Sequence, residues 1–155
     1  MAYQKLQVGL GVNVIPNDTI NIPNVAGPTQ TGTDVNASAT TFKLTVSEDT
    51  FTANLIGYIV YNTTDNTIAT VTAVDSPKIL SLSADIMVQG NSYALYPDDN
   101  AGCVLYVGGA GDLRVLTSSG SDITFVGVLA GSFIPVQVKR VFFNGTDASS
   151  ILALW

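Results

Sequence analysis

Four apolar runs close this chain: Cys103-Val-Leu-Tyr-Val-Gly-Gly-Ala-Gly-Asp-Leu-Arg-Val115, Ile123-Thr-Phe-Val-Gly-Val128, Gly131-Ser-Phe-Ile-Pro-Val-Gln-Val-Lys-Arg-Val141 and Ile151-Leu-Ala-Leu-Trp155. They are rich in β-branched and aromatic residues, and Gly, Ser, Asn or Asp separates them. That combination marks short strands joined by turns. The spacing predicts strands over residues 103–107, 112–117, 122–128, 133–143 and 151–155, with a glycine-rich hairpin turn at 108–111 and further turns at 118–121 and 144–147. Pro135, early in the longest run, argues for an edge position or a strand start. In the same run Gln137 and Lys139 share one face, and Val136 and Val138 share the other. Arg140 falls on the valine face, so it must pair, extend to solvent or sit past a bulge.

The pattern upstream is similar but more polar. Residues 6–8 and 18–22 are extended candidates, the second bounded by Pro16 and Pro23. Residues 27–40 are low in hydrophobicity and rich in turn formers, which predicts a linker or surface loop. From Thr41 the alternation of Phe42, Leu44 and Val46 with Lys43, Thr45 and Ser47 gives a half-buried strand. Residues 57–61, 68–74, 79–83 and 93–96 read as further strands, and 85–88 as a short turn of 3₁₀-helix. Five short strands in such a span suggest a small closed or nearly closed barrel. No segment carries a 3.6-residue period. The fold expected is all-β: an antiparallel, jelly-roll-like β-sandwich from residues 1–27 and 98–155, with a small β-barrel, residues 34–97, inserted into it.

Composition narrows the function. The 155 residues make one ordinary domain or two small ones. Hydrophobic residues are 46% and charged residues only 12%, about half the usual charged share. The surface is therefore covered by Thr, Ser, Asn and Gly, as suits a component of an assembly. A net charge of −6 with six scattered Lys and Arg leaves no basic stripe for phosphates, so nucleic acid and anionic membranes are not expected partners. The N-terminal residues lack the apolar core of a signal peptide, and no run approaches a membrane span. Synthesis in a cytoplasm is expected.

The chain has no histidine and a single cysteine, Cys103. Histidine-activated nucleophiles are thereby removed, along with the commonest transition-metal ligand; no cofactor and no metal is expected. Cys103 lies in an apolar run and reads as a small buried hydrophobe. The acid pairs Asp98–Asp99 and Glu48–Asp49 are adjacent in sequence, so in an extended chain their side chains face opposite ways. A glycosidase needs two carboxylates facing one substrate. Asp98-Asp-Asn-Ala-Gly102 lacks the later acid of a calcium loop, and the 108–111 glycines precede a strand rather than the helix a phosphate loop requires. An enzyme is not expected. Phe133, Val136, Val138, Arg140, Phe142, Phe143 and Trp155 put apolar bulk on both faces of the closing strands, which marks them as a candidate intersubunit interface. Tyr58 and Tyr61 are the candidate contacts of an alternative function, a carbohydrate- or receptor-binding tail or fibre module.

The words Leu105-Tyr-Val-Gly, Gly111-Asp112, Thr124-Phe125, Gly131, Pro135-Val136 and Ala153-Leu154-Trp155, together with residues 18–23, resemble the head spike base proteins of tailed phages and gene transfer agents. The resemblance covers about half the chain, and residues 34–97 depart from it. It implies a non-enzymatic virion protein on the capsid exterior, decorating or cementing the shell or serving as a head spike base. The implied partners are the major capsid protein, copies of the chain itself as a homotrimer or homopentamer, and a head fibre or spike protein.

Overall fold

The computed structural model describes residues 9–23, 28–36 and 40–155. All regular structure among them is β, apart from one turn of 3₁₀-helix at Ala53–Leu55. The strands are β1 (Gly11–Asn13), β2 (Gln30–Thr33), β3 (Lys43–Thr45), β4 (Ile59–Asn62), β5 (Thr67–Ser76), β6 (Ile79–Leu82), β7 (Ser92–Tyr96), β8 (Cys103–Gly109), β9 (Gly111–Thr117), β10 (Asp122–Val128), β11 (Ser132–Val141) and β12 (Ser149–Leu154). The chain divides into two compact units, Met1–Ala26 with Asn100–Trp155, and Gly27–Asp99.

In the first unit one antiparallel sheet runs β1-β12-β8-β11-β9-β10. Its shape comes from β11. The first half of β11 pairs with β8, Phe133 opposite Tyr106 and Ile134 opposite Leu105. Its second half pairs with β9, Arg140 opposite Leu116 and Val141 opposite Val115. The register shifts between Ile134 and Val138 and again between Val138 and Arg140. A strand that changes partners through bulges forms the corner of a folded sheet. Pro135 sits in the first irregularity, in the half of β11 that pairs with β8 alone, where a missing N–H costs no ladder bond; the expected edge position holds locally, before the corner. The inner face is the core: Leu105 and Val107 of β8, Leu113 and Val115 of β9, Val138 and Val141 of β11, and Ile151 and Ala153 of β12 are all buried in one cluster.

The 108–111 glycines do not make a hairpin, because β8 and β9 pair with β11 and not with each other. They make a corner against which the lead-in to β12 docks. Asp147 and Ala148 both donate their N–H to the Asp112 carbonyl, at 2.8 and 3.0 Å. A Cβ on Gly111 would lie 2.6 Å from the Ala148 nitrogen, so only glycine fits. Residues 18–22 are not a strand. Asn17 Oδ1 accepts the N–H groups of Thr19 and Ile20, both at 2.9 Å, and this Asx turn bends the segment. Asn17 and Ile22 still bond to β11 through the Val141 and Lys139 carbonyls. The candidate strand at residues 6–8 lies outside the described residues.

The second unit has the order β2-β7-β4-β5-β6-β3. Here β5 is the long bulged strand: its first residues pair with β4 and its last with β6. The sheet curls round Leu44, Val60, Val71, Leu80 and Leu95, and its two end strands approach where Val35 N–H donates to the Thr45 carbonyl at 2.8 Å. The unit therefore begins well before residue 34. Residues 30–33, expected to be linker, pair with β7 as a strand. This strand's Gln, Thr and Gly residues carry no apolar alternation to betray it. The 3₁₀ turn expected at 85–88 is absent; the single turn of 3₁₀-helix among the described residues lies at Ala53–Leu55, and it buries Leu55 on the core.

Candidate functional site

Both faces of the β12-β8-β11 part of the first sheet are apolar. The inner set of β8 is Cys103, Leu105 and Val107, all buried; between them Val104 and Tyr106 point the other way and are only half-buried. In β12 the inner pair is Ile151 and Ala153, and the outer pair Leu152 and Leu154. Register aligns these outer side chains into rows. Leu152 stands opposite Tyr106 and Leu154 opposite Val104, while Phe133 stands opposite Tyr106 on the other flank. The Tyr106 and Phe133 rings meet edge-on, with centroids 5.3 Å apart, a favourable cross-strand aromatic pair. Phe133 remains 56% exposed. Val126, near the end of β10, and Leu129, in the arch from β10 to β11, are 80% and 73% exposed.

The candidate interface residues fall into four groups. Phe133 and Phe143 are exposed. Val136 and Trp155 are half-buried against the core of their own unit. Val138 is wholly buried: it keeps the inward face that Ile134 and Val136 share, so it is a core residue and leaves the candidate interface. Arg140 and Phe142 are largely satisfied internally. Arg140 lies past the second bulge and donates Nε to Asn21 Oδ1 and a terminal nitrogen to the Asp18 carbonyl, both at 3.0 Å. Phe142 is covered by guanidinium groups, Arg114 at 4.5 Å and Arg140 at 5.8 Å from its ring centre, which is cation–π geometry. Arg114 in turn makes a two-point contact with Asp122, at 2.7 and 3.0 Å; this guanidinium holds the Asp122 carboxyl below the usual aspartate range.

Tyr61 is buried in the second unit and its hydroxyl donates to Asn66 Oδ1 at 3.3 Å. Burial, with the Tyr96 charge second, pushes its phenol above its ordinary value. A sugar stacks on an exposed aromatic face, and Tyr61 offers none; it drops out as a glycan contact. Tyr58 is half-buried against the same core. The described residues hold no group of three or more His, Cys, Asp or Glu placed to bind a metal. Cys103 is buried, donates its thiol to the Val138 carbonyl at 3.2 Å, and has its pKa pushed up to about 12 by burial, so it is no nucleophile near neutral pH. None of the described helices is long and apolar enough to cross a membrane.

Known proteins offer no match. No family model, no curated protein and no solved structure matches the chain. The site therefore stands on its geometry. Tyr106, Val104, Leu152 and Leu154 were not singled out in the sequence, although a signal was present: in 103–107 and 151–154 both alternate sets are apolar, which a strand with one wet face would not show.

Proposed function

We propose that this chain is a non-enzymatic structural protein of a phage-like virion, set on the capsid exterior as a decoration, a cement or a head spike base. The carrying observation is the outer face of Tyr106, Phe133, Leu152 and Leu154 on a sheet whose inner face already holds a full core. An antiparallel sheet standing alone keeps one face polar; apolar side chains on both faces are relieved by a neighbouring protein surface. The low charge content favours many close contacts with few desolvated ions. The partners in this reading are the major capsid protein and further copies of the chain, arranged as a trimer or pentamer about a capsid axis, with a fibre or spike above. Each contact is modest, and repetition over the shell supplies the avidity.

The test uses purified particles of the phage or gene transfer agent that encodes the chain. Mass spectrometry gives its stoichiometry to the major capsid protein, and electron cryo-microscopy gives its position. The expected result is an ordered layer or vertex feature outside the shell, lost when Phe133→Asp replaces the wild type while soluble protein of normal secondary structure accumulates. Particles devoid of the chain, or a chain confined to the interior, would overturn the reading.

A further inference from the structure

Among the described residues β10 ends its sheet, pairing with β9 and with nothing else. It is exposed along almost its whole length, and five of its seven residues are exposed outright. The direction of its free backbone groups follows from the turn before it. Thr117 N–H donates to the Ser121 carbonyl at 2.9 Å, so in this ladder the bonded pairs fall at 117/121, 115/123 and 113/125, and the pairs between them are unbonded. The far side of β9 agrees: Arg114, opposite Thr124, donates its N–H to Thr146 Oγ1 at 3.1 Å and accepts Phe142 N–H at 3.0 Å, both away from β10. Ile123 and Phe125 therefore direct their backbone groups to β9, and Asp122 and Thr124 direct theirs outward. A bulge between Phe125 and Val128, with Gly127 N–H bonded to Asp112 Oδ1 at 2.8 Å, ends the flat part of the edge.

We infer that this edge pairs antiparallel with β10 of a second copy, about a two-fold axis through Thr124. Such a row of outward donors and acceptors, exposed to water, is a ready template for another strand, and the sequence is self-complementary about that axis. Thr124 would exchange both backbone bonds with its symmetry mate. Ile123 would stand opposite Phe125 of the second copy, an aromatic and β-branched pair formed twice. Asp122 would stand opposite Val126, so no like charges face each other, and Arg114 already neutralises Asp122 within each copy. A chain of net charge −6 could approach its own copy here without repulsion along the seam. The seam is short, a few residue pairs on each strand, so the association is looked for at micromolar and higher concentrations. This inference adds to the self-association in the proposed function a two-fold contact that would link one trimer or pentamer to the next, and it does not need the virion: a dimer in solution and a chain missing from particles are separate results.

Sedimentation equilibrium of the whole chain from about 1 to 200 μM should show a monomer–dimer equilibrium. Thr124→Pro removes only an outward N–H and should weaken dimerisation at least about tenfold with an unchanged melt; Val126→Lys, an edge charge, should do the same and serves if the proline variant fails to fold. Thr124→Cys should cross-link to its mate under mild oxidation, because the Cα separation of about 5.5 Å in a bonded pair suits a disulfide; buried Cys103 will not compete. A wild type that stays monomeric overturns the inference and leaves the edge to a strand of another protein. A dimer that survives these edge variants, or gives no cross-link through position 124, overturns it as well.

Discussion

The Asp34 side chain accepts the backbone N–H of Thr45 at 2.9 Å, and with it joins the two ends of the second unit's sheet. Next to it Val35 N–H reaches the Thr45 carbonyl. The same carboxylate oxygen takes Asn36 N–H at 3.2 Å, and the Asp34 backbone bonds Asn91 and Gly90. Asp34 is 1% exposed, so water cannot replace these contacts. Asp34→Ala should destabilise this unit by about 1–3 kcal/mol, the cost of two lost bonds, one to a buried and one to a part-buried N–H, offset in part because the second carboxylate oxygen is buried without a partner. Denaturant unfolding measures the loss. Hydrogen exchange should locate it, with Val35 and Thr45 amides losing protection before those of β4 and β7.

Much of this architecture was readable in the chain because alternation is a local property. The runs at 57–61, 79–83, 93–96 and 122–128 became β4, β6, β7 and β10 with shifts of one or two residues. Gln30–Thr33 was not readable: Thr31, Gly32 and Thr33 are exposed, Gln30 is half-buried, and only pairing with β7 makes it a strand. Nor could sequence show that β8 and β9 are separated by β11, since a turn's residues do not say whether the strands on either side of it pair.

Arg140 ties the segment before the second unit to β11. It bonds Asn21 Oδ1 and the Asp18 carbonyl, while Asp18 Oδ1 accepts Asn144 N–H at 3.0 Å. Arg140→Lys should cost about 1–2 kcal/mol in the first unit, because an ammonium cannot reproduce a planar two-point contact. Arg140→Met should cost no less. A lysine variant as stable as the wild type would show that the charge alone matters.

The outer apolar face was half visible from sequence. Phe133 and Phe143 were marked by size, and both are exposed; Val138 was marked as part of a run apolar on both faces, but it lies on the inner face with Ile134, and only after it does the bulge break the alternation, so that Val141 is buried. A single inserted residue reverses every assignment after it, and nothing in 132–141 apart from Pro135 announces one.

Asp75 should make the second unit sensitive to acid. Lys43 Nζ bonds its Oδ2 at 2.6 Å, and the Ser81 hydroxyl bonds both of its oxygens. These hydrogen bonds, Lys43 first, lower its pKa from the ordinary 3.8. A carboxyl lowered on folding contributes stability that is present above its unfolded value and fades as pH falls through the folded one. Stability should therefore drop below about pH 4, and the part due to Asp75 should vanish in Asp75→Asn. The group is 37% exposed, so the contribution is within about 1 kcal/mol. Equal pH slopes for the two proteins between pH 5 and 2 would exclude the effect.

Cys103 supplies a clock for opening of the first unit. Its thiol is 1% exposed, donates to Val138 and has a pKa of about 12. At neutral pH an unfolded cysteine is a few per cent thiolate, whereas here both exposure and ionisation are withheld. A chromogenic disulfide reagent should leave the native protein unmodified, and labelling should proceed only through opening of the β8–β11 pairing. Under denaturant the labelling rate should become independent of reagent concentration once opening limits it. Val138→Ala, which leaves a cavity directly beside the sulfur, should speed labelling at least about tenfold, in line with a loss of 1.4 kcal/mol or more. Prompt stoichiometric labelling of the native wild type would mean that the β8–β11 corner is open in solution.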